Sequence, residues 1–327
     1  MKARLAVSMG DPAGIGAEVL LRAAAAKRVA RACRVTVFGD RSIIEALASR
    51  LDIPAPGSAG SAVAEVVEVT RLGRSGGRLL PRPSRRSGQA AFDYLARAAR
   101  LVLDGGFDAL VTAPINKMWM SRAGHDYNGH TEYLSELTGR RATMMLAGQQ
   151  LRVVPVTTHM AHADVAGALS KEAIIEATRA TVAHLRDYQG MAKPRVAVAA
   201  LNPHAGEGGM FGSEEAELIA PAVTALRRAR LDVTGPLAAD TLFAAAKGGH
   251  YDAVVCMYHD QALIPLKLLD FGQAVNVSMG LPLIRTSPDH GTAYDLAGSG
   301  KADPGSMTEA LIMAAAMAGK AAARRRK

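Results

Sequence analysis

The chain has 327 residues, of which 49% are apolar and 21% charged, a balance typical of a globular protein with one large domain or two ordinary ones. Aromatic residues make up only 4%, so the core must consist mainly of Ala, Val, Leu and Ile. Two distant cysteines, Cys33 and Cys256, argue against a disulfide framework and predict a cytoplasmic location. We expect no secretory signal, and no apolar run reaches the roughly 18 residues of a membrane span.

The net charge of +9 fits either a nucleic acid or a small anionic substrate as partner. Two basic clusters stand out, at residues 71–86 and 324–327. Neither contains interleaved aromatic residues, and we interpret both as solvated surface. The sequence therefore predicts neither a nucleic-acid partner nor a membrane partner.

The predicted elements alternate between strand and helix along the chain. The strands are predicted at residues 5–8, 35–38, 66–70, 109–112, 151–157, 196–201 and 253–257. The helices are predicted from about residue 17, at 90–103, after an N-cap at Ser170, and at 214–228. Near-continuous apolar strands between amphipathic helices are typical of an α/β fold with a mostly parallel core sheet. We expect two α/β/α lobes around one cleft.

Histidines follow three of the predicted strands. They are His159, His204 and His259. Ligands collect at the carboxyl ends of parallel strands, and three imidazoles with an open position are a common catalytic metal set. We predict such a metal site; the alternative for each histidine is a hydrogen-bonded loop position. His162 is a competing ligand, whereas His184 and His250 are expected at the surface.

Two glycine-rich loops are candidates for binding through the backbone. Gly10–Gly16 (GDPAGIG) joins a strand to a helix, where backbone N–H groups can face an anion. Its spacing is not the Gly-x-Gly-x-x-Gly dinucleotide fingerprint, and an ordinary tight turn is an equal alternative. Gly206-Glu207-Gly208-Gly209 follows His204 and would let a ligand approach the main chain.

Polar residues suited to an anionic substrate form two further groups. His130 and Thr131 supply an imidazole and a hydroxyl at a predicted helix start; the alternative is an ordinary N-cap by Thr131. Lys267, Asn276 and Arg285 recur at intervals of nine in a region with few other charges. A surface position is the alternative for each of these three.

Nine stretches in the expected order resemble the 4-hydroxythreonine-4-phosphate dehydrogenase family of the pyridoxal phosphate pathway. The stretches are 10–16 (GDPAGIG), 112–117 (TAPINK), 129–133 (GHTEY), 157–159 (TTH), 201–209 (LNPHAGEGG), 235–243 (GPLAADTLF), 257–261 (MYHDQ), 275–280 (VNVSMG) and 281–298 (LPLIRTSPDHGTAYDLAG). The resemblance implies a fold like those of isocitrate and isopropylmalate dehydrogenases. It implies a first lobe of residues 1–115 and 275–327, and a second lobe of residues 116–274 with the metal site and the dimer interface.

The resemblance also implies roles for individual residues. The metal ligands would be His159, His204 and His259, which removes His162. The substrate contacts would be His130, Thr131, Lys267, Asn276 and Arg285. The cofactor contacts would be His290, Gly291, Thr292, Ala293 and Asp303. For the proton acceptor, Lys267 and Asp240 are the candidates.

The implied reaction is the oxidation of 4-phosphooxy-L-threonine by NAD or NADP. Its product, 2-amino-3-oxo-4-phosphooxybutanoate, decarboxylates to 3-amino-2-oxopropyl phosphate. Each site would hold one divalent metal ion, with Zn²⁺, Mg²⁺ and Co²⁺ as candidates. The alternative is a related dehydrogenase of 4-phospho-threonate or 4-phospho-erythronate. A nucleic-acid-binding protein is the rival class, but it has no use for three histidines at strand ends.

The family resemblance further implies a homodimer with shared active sites. In that arrangement, His159 and His204 come from one chain and His259 from its neighbour.

Overall fold

The computed structural model describes residues 2–72, 80 and 82–325. Parts of both predicted basic surface clusters, namely residues 73–79, 81, 326 and 327, lie outside the described residues. The strands, in chain order, are β1 (Ala3–Ser8), β2 (Cys33–Gly39), β3 (Val63–Glu68), β4 (Ala109–Thr112), β5 (Thr143–Ala147), β6 (Arg152–Pro155), β7 (Val196–Ala199), β8 (Val233–Leu237), β9 (Ala253–Cys256), β10 (Val275–Met279) and β11 (Arg285–Pro288).

The helices are distributed between the strands, as the alternating pattern predicts. They are α1 (Gly16–Ala24), α2 (Lys27–Ala32), α3 (Arg41–Arg50), α4 (Arg85–Leu103), α5 (Lys117–Arg122), α6 (His130–Thr138), α7 (Val165–Ala168), α8 (Lys171–Tyr188), α9 (Ala220–Arg228), α10 (Ala239–Lys247), α11 (His259–Asp270) and α12 (Gly305–Arg325). Within the described part of the chain, none of them is long and apolar enough to cross a bilayer.

The chain divides into two compact units, a first unit of residues 1–142 and 281–327 and a second unit of residues 143–280. These boundaries differ from the predicted ones, since 116–142 falls in the first unit and 275–280 in the second. The reason lies in packing and pairing. Tyr133 and Leu134 of α6 join the buried cluster that contains Leu110 of β4, and β10 pairs with β5.

Each unit contains its own run of paired strands. In the first unit the order is β3-β2-β1-β4-β11, and every pair is parallel. In the second unit the order is β10-β5-β6-β9-β7-β8, with parallel pairing from β6 onward and antiparallel pairing for the pairs β10-β5 and β5-β6. The predicted mostly parallel α/β fold is confirmed.

The ends of several helices have identifiable local causes. The Ser170 hydroxyl accepts a hydrogen bond from the backbone N–H of Ala173, as predicted for the N-cap of α8. Helix α4 begins at Arg85, earlier than predicted, because Ser84 and Ser87 form a reciprocal capping box. The predicted helix 214–228 begins as a π-helical turn, Glu215–Ile219, before α9.

His184 is buried, and its predicted surface position is wrong. Its side chain on α8 is 4% exposed, since α8 packs its apolar face inward. Burial, helped by the charge of Arg152, lowers the pKa of His184 to about 4. Asp187 opposes this shift. His250, in contrast, is exposed as predicted.

We expect the stability of the protein to fall between pH 6.5 and pH 4 because of His184. The folded state favours the neutral His184 ring. The contribution of His184 to the free energy of unfolding is therefore complete above the ordinary pKa of 6.5, and it disappears as the pH falls through the folded pKa of about 4. The loss should approach about 3 kcal/mol. Urea unfolding of wild type and His184→Gln across this range measures it. The difference in free energy of unfolding between the two proteins should change with pH, and His250→Gln, at an exposed histidine, is the matched control. Parallel curves for wild type and His184→Gln would contradict the assignment.

Candidate active site

Two of the three predicted metal ligands lie side by side in the second unit. β6 and β9 are neighbours in parallel pairing, so the segments that follow them emerge at the same edge. His159 follows β6, and His259 begins α11 directly after β9. Their ring centroids are 5.4 Å apart.

The His259 ring is oriented by a carboxylate. Its Nδ1 lies 2.7 Å from Oδ1 of Asp260. Metal-binding imidazoles are commonly held by such a carboxylate contact in proteins. The His159–His259 pair therefore has the donor type that a divalent metal ion accepts.

His204 is not part of this cluster. Among the described residues, no group of three His, Cys, Asp or Glu side chains is placed to hold a metal ion. The strand order separates His204 from His159 only, because β7 pairs with the side of β9 away from β6. The predicted division, with His159 and His204 from one chain and His259 from the neighbouring chain, stays a prediction.

The loop that carries His204 has an unusual backbone. Five consecutive residues, 204–208, have positive φ angles of 50°, 55°, 79°, 43° and 67°. Three of them, His204, Ala205 and Glu207, are not glycine, and left-handed conformation costs such residues roughly 1–2 kcal/mol each. Gly206 and Gly208 occupy the remaining left-handed positions, which glycine adopts without a steric cost.

A buried carboxylate holds the start of this loop. Glu215 is 6% exposed, and its Oε1 accepts hydrogen bonds from the backbone N–H groups of Leu201 and Asn202, both at 2.8 Å. Its Oε2 accepts a third from the Asn202 side chain at 3.0 Å. A Cβ at Gly206 would lie 2.8 Å from the same Oε2. Glu215 therefore anchors the strained turn.

A second polar cluster lies in the first unit, around Arg285. The Arg285 side chain is 2% exposed and donates to the hydroxyl of Thr112 from Nε at 3.1 Å and from a terminal nitrogen at 2.7 Å. Burial lowers the pKa of Arg285 to about 10, and the Glu132 charge opposes the shift. The guanidinium therefore stays protonated at neutral pH, and its predicted alternative as a surface residue is wrong.

His130 belongs to the same cluster. Burial, followed by the charge of Arg285, holds the pKa of His130 well below its usual range. Its Nε2 atom is buried and has no hydrogen-bond partner among the described residues. The helix start at Gly129–His130 is confirmed, but Gly129 is the N-cap position and Thr131 is not.

The other predicted substrate contacts and proton acceptors lie in the second unit. Lys267 is exposed on α11, and Asp240 is exposed in the first turn of α10. Asn276 is half-buried on β10, where its Nδ2 donates to the sulfur of Met144 at 3.5 Å. The predicted substrate set is thus divided between the two units.

The predicted cofactor contacts lie on the loop between β11 and α12 in the first unit. His290 places Nδ1 3.1 Å from the carbonyl oxygen of Gly291, while Ala293 has a positive φ of 36°. Thr292 is buried. Asp303 accepts a hydrogen bond from the N–H of Gly305 at 2.8 Å, beside the start of α12.

The Gly10–Gly16 loop uses its backbone donors within the protein. The N–H of Asp11 donates to the oxygen of Pro114, and the N–H of Gly14 donates to the oxygen of Asp11, both at 2.9 Å. A Cβ at Gly10 would lie 2.4 Å from the oxygen of Pro114, so a side chain does not fit there. These contacts favour the tight-turn interpretation over an anion site.

Sequence reasoning gave no role to three residues that support the candidate site. Thr112 and Lys117 belong to the TAPINK motif; Thr112 accepts from Arg285, and the charge of Lys117 contributes to the low pKa of His130. Glu215 has no motif of its own. The TAPINK motif was a usable signal for Thr112 and Lys117. For Glu215, in contrast, no pattern in the neighbouring sequence indicates that its side chain is buried under a loop.

Comparison with known proteins places the chain in a family. The sequence profile of the pyridoxal phosphate biosynthetic protein PdxA matches residues 31–314. The chain belongs to this family. A 4-hydroxythreonine-4-phosphate dehydrogenase of Geobacter metallireducens is 50% identical over 334 aligned residues, covering 97% of this chain and 96% of the relative.

Solved structures agree with this membership. The crystal structure of 4-hydroxythreonine-4-phosphate dehydrogenase from Klebsiella pneumoniae matches with a TM-score of 0.86 and 38% identity, covering 97% of this chain and all of the other. A β-decarboxylating dehydrogenase from Thermococcus kodakarensis shares the fold, with a TM-score of 0.51, 14% identity, and coverage of 97% and 82%. Isocitrate and isopropylmalate dehydrogenases are enzymes of that class, so the predicted fold class is confirmed.

We expect Glu215→Ala to destabilise the protein by about 3 kcal/mol, since it leaves two backbone donors of the His204 loop without their charged acceptor. Glu214→Ala is the matched control. Glu214 accepts from the Asn202 side chain at 2.7 Å but from neither loop N–H group, and its loss should cost less than about 1 kcal/mol. Chemical denaturation of the three proteins measures both effects, and equal losses would contradict the anchoring role.

Proposed function

We propose that the protein is a metal-dependent 4-hydroxythreonine-4-phosphate dehydrogenase that uses NAD or NADP. The observation that carries the proposal is the His159–His259 pair, found at the ends of neighbouring parallel strands in a chain that matches dehydrogenases of this name over nearly its whole length. The substrate is 4-phosphooxy-L-threonine, a small phosphorylated hydroxy amino acid. The buried, unpaired cysteines fit the proposed cytoplasmic location.

The reaction removes two hydrogens from the C3 alcohol and then one carbon. A hydride leaves C3 for the nicotinamide ring, and the hydroxyl proton leaves to a base. The resulting 3-oxo acid loses its carboxylate as CO₂, and C2 takes up a proton. A divalent cation, with Zn²⁺, Mg²⁺ and Co²⁺ as candidates, would supply Lewis acidity at the reacting oxygens.

The residues of the first unit are suited to hold an anionic group of the substrate. Arg285 supplies the positive charge, because its guanidinium stays protonated, and Thr112 fixes its orientation. His130 stays neutral beside it and brings a buried nitrogen, and Thr131 adds a hydroxyl. In the second unit, we assign Lys267 and Asn276 to the substrate and keep Lys267 and Asp240 as the candidates for the proton acceptor.

The nicotinamide cofactor is assigned to the loop between β11 and α12. Its contacts would be His290, Gly291, Thr292, Ala293 and Asp303. Support comes from the buried Nε2 atom of His290, which has no hydrogen-bond partner within the described part of the chain. An unsatisfied buried nitrogen is a position where a bound ligand removes a free-energy cost.

A homodimer completes the metal site in this proposal. One chain supplies His159 and His259, which lie together, and a second copy supplies His204 from its exposed left-handed turn. The division expected from the sequence, with His159 and His204 from one chain and His259 from the other, is the alternative. Two-fold symmetry then gives two identical sites, each built from both chains.

The activity is tested by incubating the purified protein with 4-phosphooxy-L-threonine and following formation of the reduced cofactor with NAD and NADP in turn. We expect kcat/KM to exceed that for 4-phospho-threonate and 4-phospho-erythronate by about tenfold or more, the discrimination that one lost polar contact gives. Chelation of divalent metals should abolish turnover, and Zn²⁺, Mg²⁺ or Co²⁺ should restore it. A preference for either phosphorylated hydroxy acid would identify the related enzyme, and no turnover of any substrate would refute the proposal.

Mixed dimers test how the metal ligands are divided between chains. His204→Ala and His259→Ala should each be inactive, because every site lacks one ligand. When the two variants are unfolded and refolded together, one site of each mixed dimer regains all three histidines. Random pairing makes about half of the dimers mixed, so activity should reach roughly a quarter of wild type.

The matched control is the mixture of His159→Ala with His259→Ala. These residues lie in one chain, so neither site of a mixed dimer is complete, and no activity should return. Under the division expected from the sequence, the first mixture would recover as well, so recovery in this control would contradict the proposed division and support the expected one. Wild type refolded by the same protocol provides the reference.

A further inference from the structure

The segment assigned to the cofactor contains no α-helix or β-strand of its own. Residues 289–304, all of them described, run from the end of β11 to the start of α12. A long irregular stretch can hold a ligand only if other parts of the protein fix its path. In this protein, much of that support comes from one continuous piece of chain, the Gly10–Gly16 loop with helix α1, which we call the 10–24 cradle.

The glycine loop of the cradle supports the middle of the segment. The N–H of Ile15 donates to the carbonyl oxygen of Thr292 at 2.9 Å. Next to it, a Cβ at Gly14 would lie 2.8 Å from that oxygen and 3.1 Å from the Thr292 Cβ. The absence of a side chain at Gly14 is therefore what allows Thr292 to approach.

A buried side-chain pair supports the neighbouring residue. The Tyr294 hydroxyl donates to Oδ2 of Asp11 at 2.7 Å, and Asp11 is only 1% exposed. The other oxygen of Asp11 accepts from the N–H of Ala13 at 2.9 Å, which fixes the carboxylate within its own loop. Asp11 thus links the glycine loop to the cofactor segment.

Helix α1 supports the end of the segment. Oε1 of Glu18, a fully buried side chain, accepts a hydrogen bond from the N–H of Ala302 at 3.1 Å. One turn later, Arg22 donates to the carbonyl oxygens of Gly300, at 2.9 Å, and Ala302. The cradle therefore contacts the segment at Thr292, Tyr294 and the stretch 300–302.

We propose that the 10–24 cradle sets the affinity for the nicotinamide cofactor by holding residues 290–303 in the binding conformation. Asp11, Gly14 and Glu18 are positioning residues that act through the segment. The inference rests on the assignment of the cofactor to this segment under the proposed function. It gives the GDPAGIG motif a role that its spacing did not reveal.

The test uses two variants that disturb the contact in different ways. Tyr294→Phe removes one hydroxyl, and Gly14→Ala introduces a methyl group that must displace the backbone of Thr292. Gly319→Ala in α12 is the matched control, because among the described residues its Cβ would meet no atom within 4 Å. Titration calorimetry with NADH and NADPH gives the Kd, and hydrogen exchange without cofactor reports the order of residues 290–303.

We expect Tyr294→Phe and Gly14→Ala each to raise the Kd for the reduced cofactor about tenfold and to speed exchange in residues 290–303. Gly319→Ala should match wild type in both. The kcat of Gly14→Ala at saturating cofactor should stay within about twofold of wild type, since Gly14 is expected to act only through the cofactor segment. The double variant Asp11→Asn with Tyr294→Phe should raise the Kd by less than the product of the two single effects. The reason is that both substitutions act on the same hydrogen bond, from Tyr294 to Asp11.

An unchanged Kd in both variants would overturn the inference. It would do so even if the substitutions lowered the free energy of unfolding. If Gly14→Ala fails to fold, Tyr294→Phe decides alone, because it deletes a single oxygen atom. If wild type itself binds neither NADH nor NADPH, the proposed function fails and the inference fails with it. Normal binding by wild type and by both variants removes the inference alone.

Discussion

The parallel pairing of β6 with β9 is the constraint on which the candidate chemistry depends. It brings the segments after both strands to one edge, and this places His159 beside His259. Each histidine follows a buried strand, and the pairing of the two strands determines that the histidines are neighbours. A strand order in which β6 and β9 were not neighbours would separate the pair while leaving every local sequence signal unchanged.

Buried carboxylates solve the main physical problem of the loops around the site, which is the satisfaction of backbone N–H groups away from regular structure. Glu215 accepts from the N–H groups of Leu201 and Asn202, and Glu18 accepts from that of Ala302. Asp11 does the same for Ala13. A charged acceptor makes a stronger hydrogen bond than a neutral one, so a single side chain can hold a loop that has no secondary structure. The net charge of +9 conceals these buried acidic residues, since it is a sum over the whole chain.

Local pattern was sufficient to predict the alternating elements and the residues at the strand ends. The N-cap at Ser170 and the helix start at His130 follow from side chains close in sequence, and such signals are visible in the residues themselves. The strand order, the boundary after Ala142 and the burial of His184 depend on contacts between distant parts of the chain. Periodicity carries no information about which strand is the neighbour of which. Three histidines at strand ends could therefore be identified from local pattern, whereas their grouping into one site stays a prediction.

The same reasoning separates the two glycine motifs, which look alike as sequence. In the Gly10–Gly16 loop, Gly10 and Gly14 are required because other backbone atoms approach within 3 Å of where a Cβ would be, so the loop is a packing device with its donors already used. In the 204–208 turn, the glycines share a left-handed path with His204, and a Cβ at Gly208 would meet no atom within 4 Å in the described structure. The Gly10–Gly16 loop therefore serves the internal packing of the first unit. The 204–208 turn holds the exposed His204 in a left-handed conformation, whose cost is understandable if this histidine is a ligand of the proposed metal site.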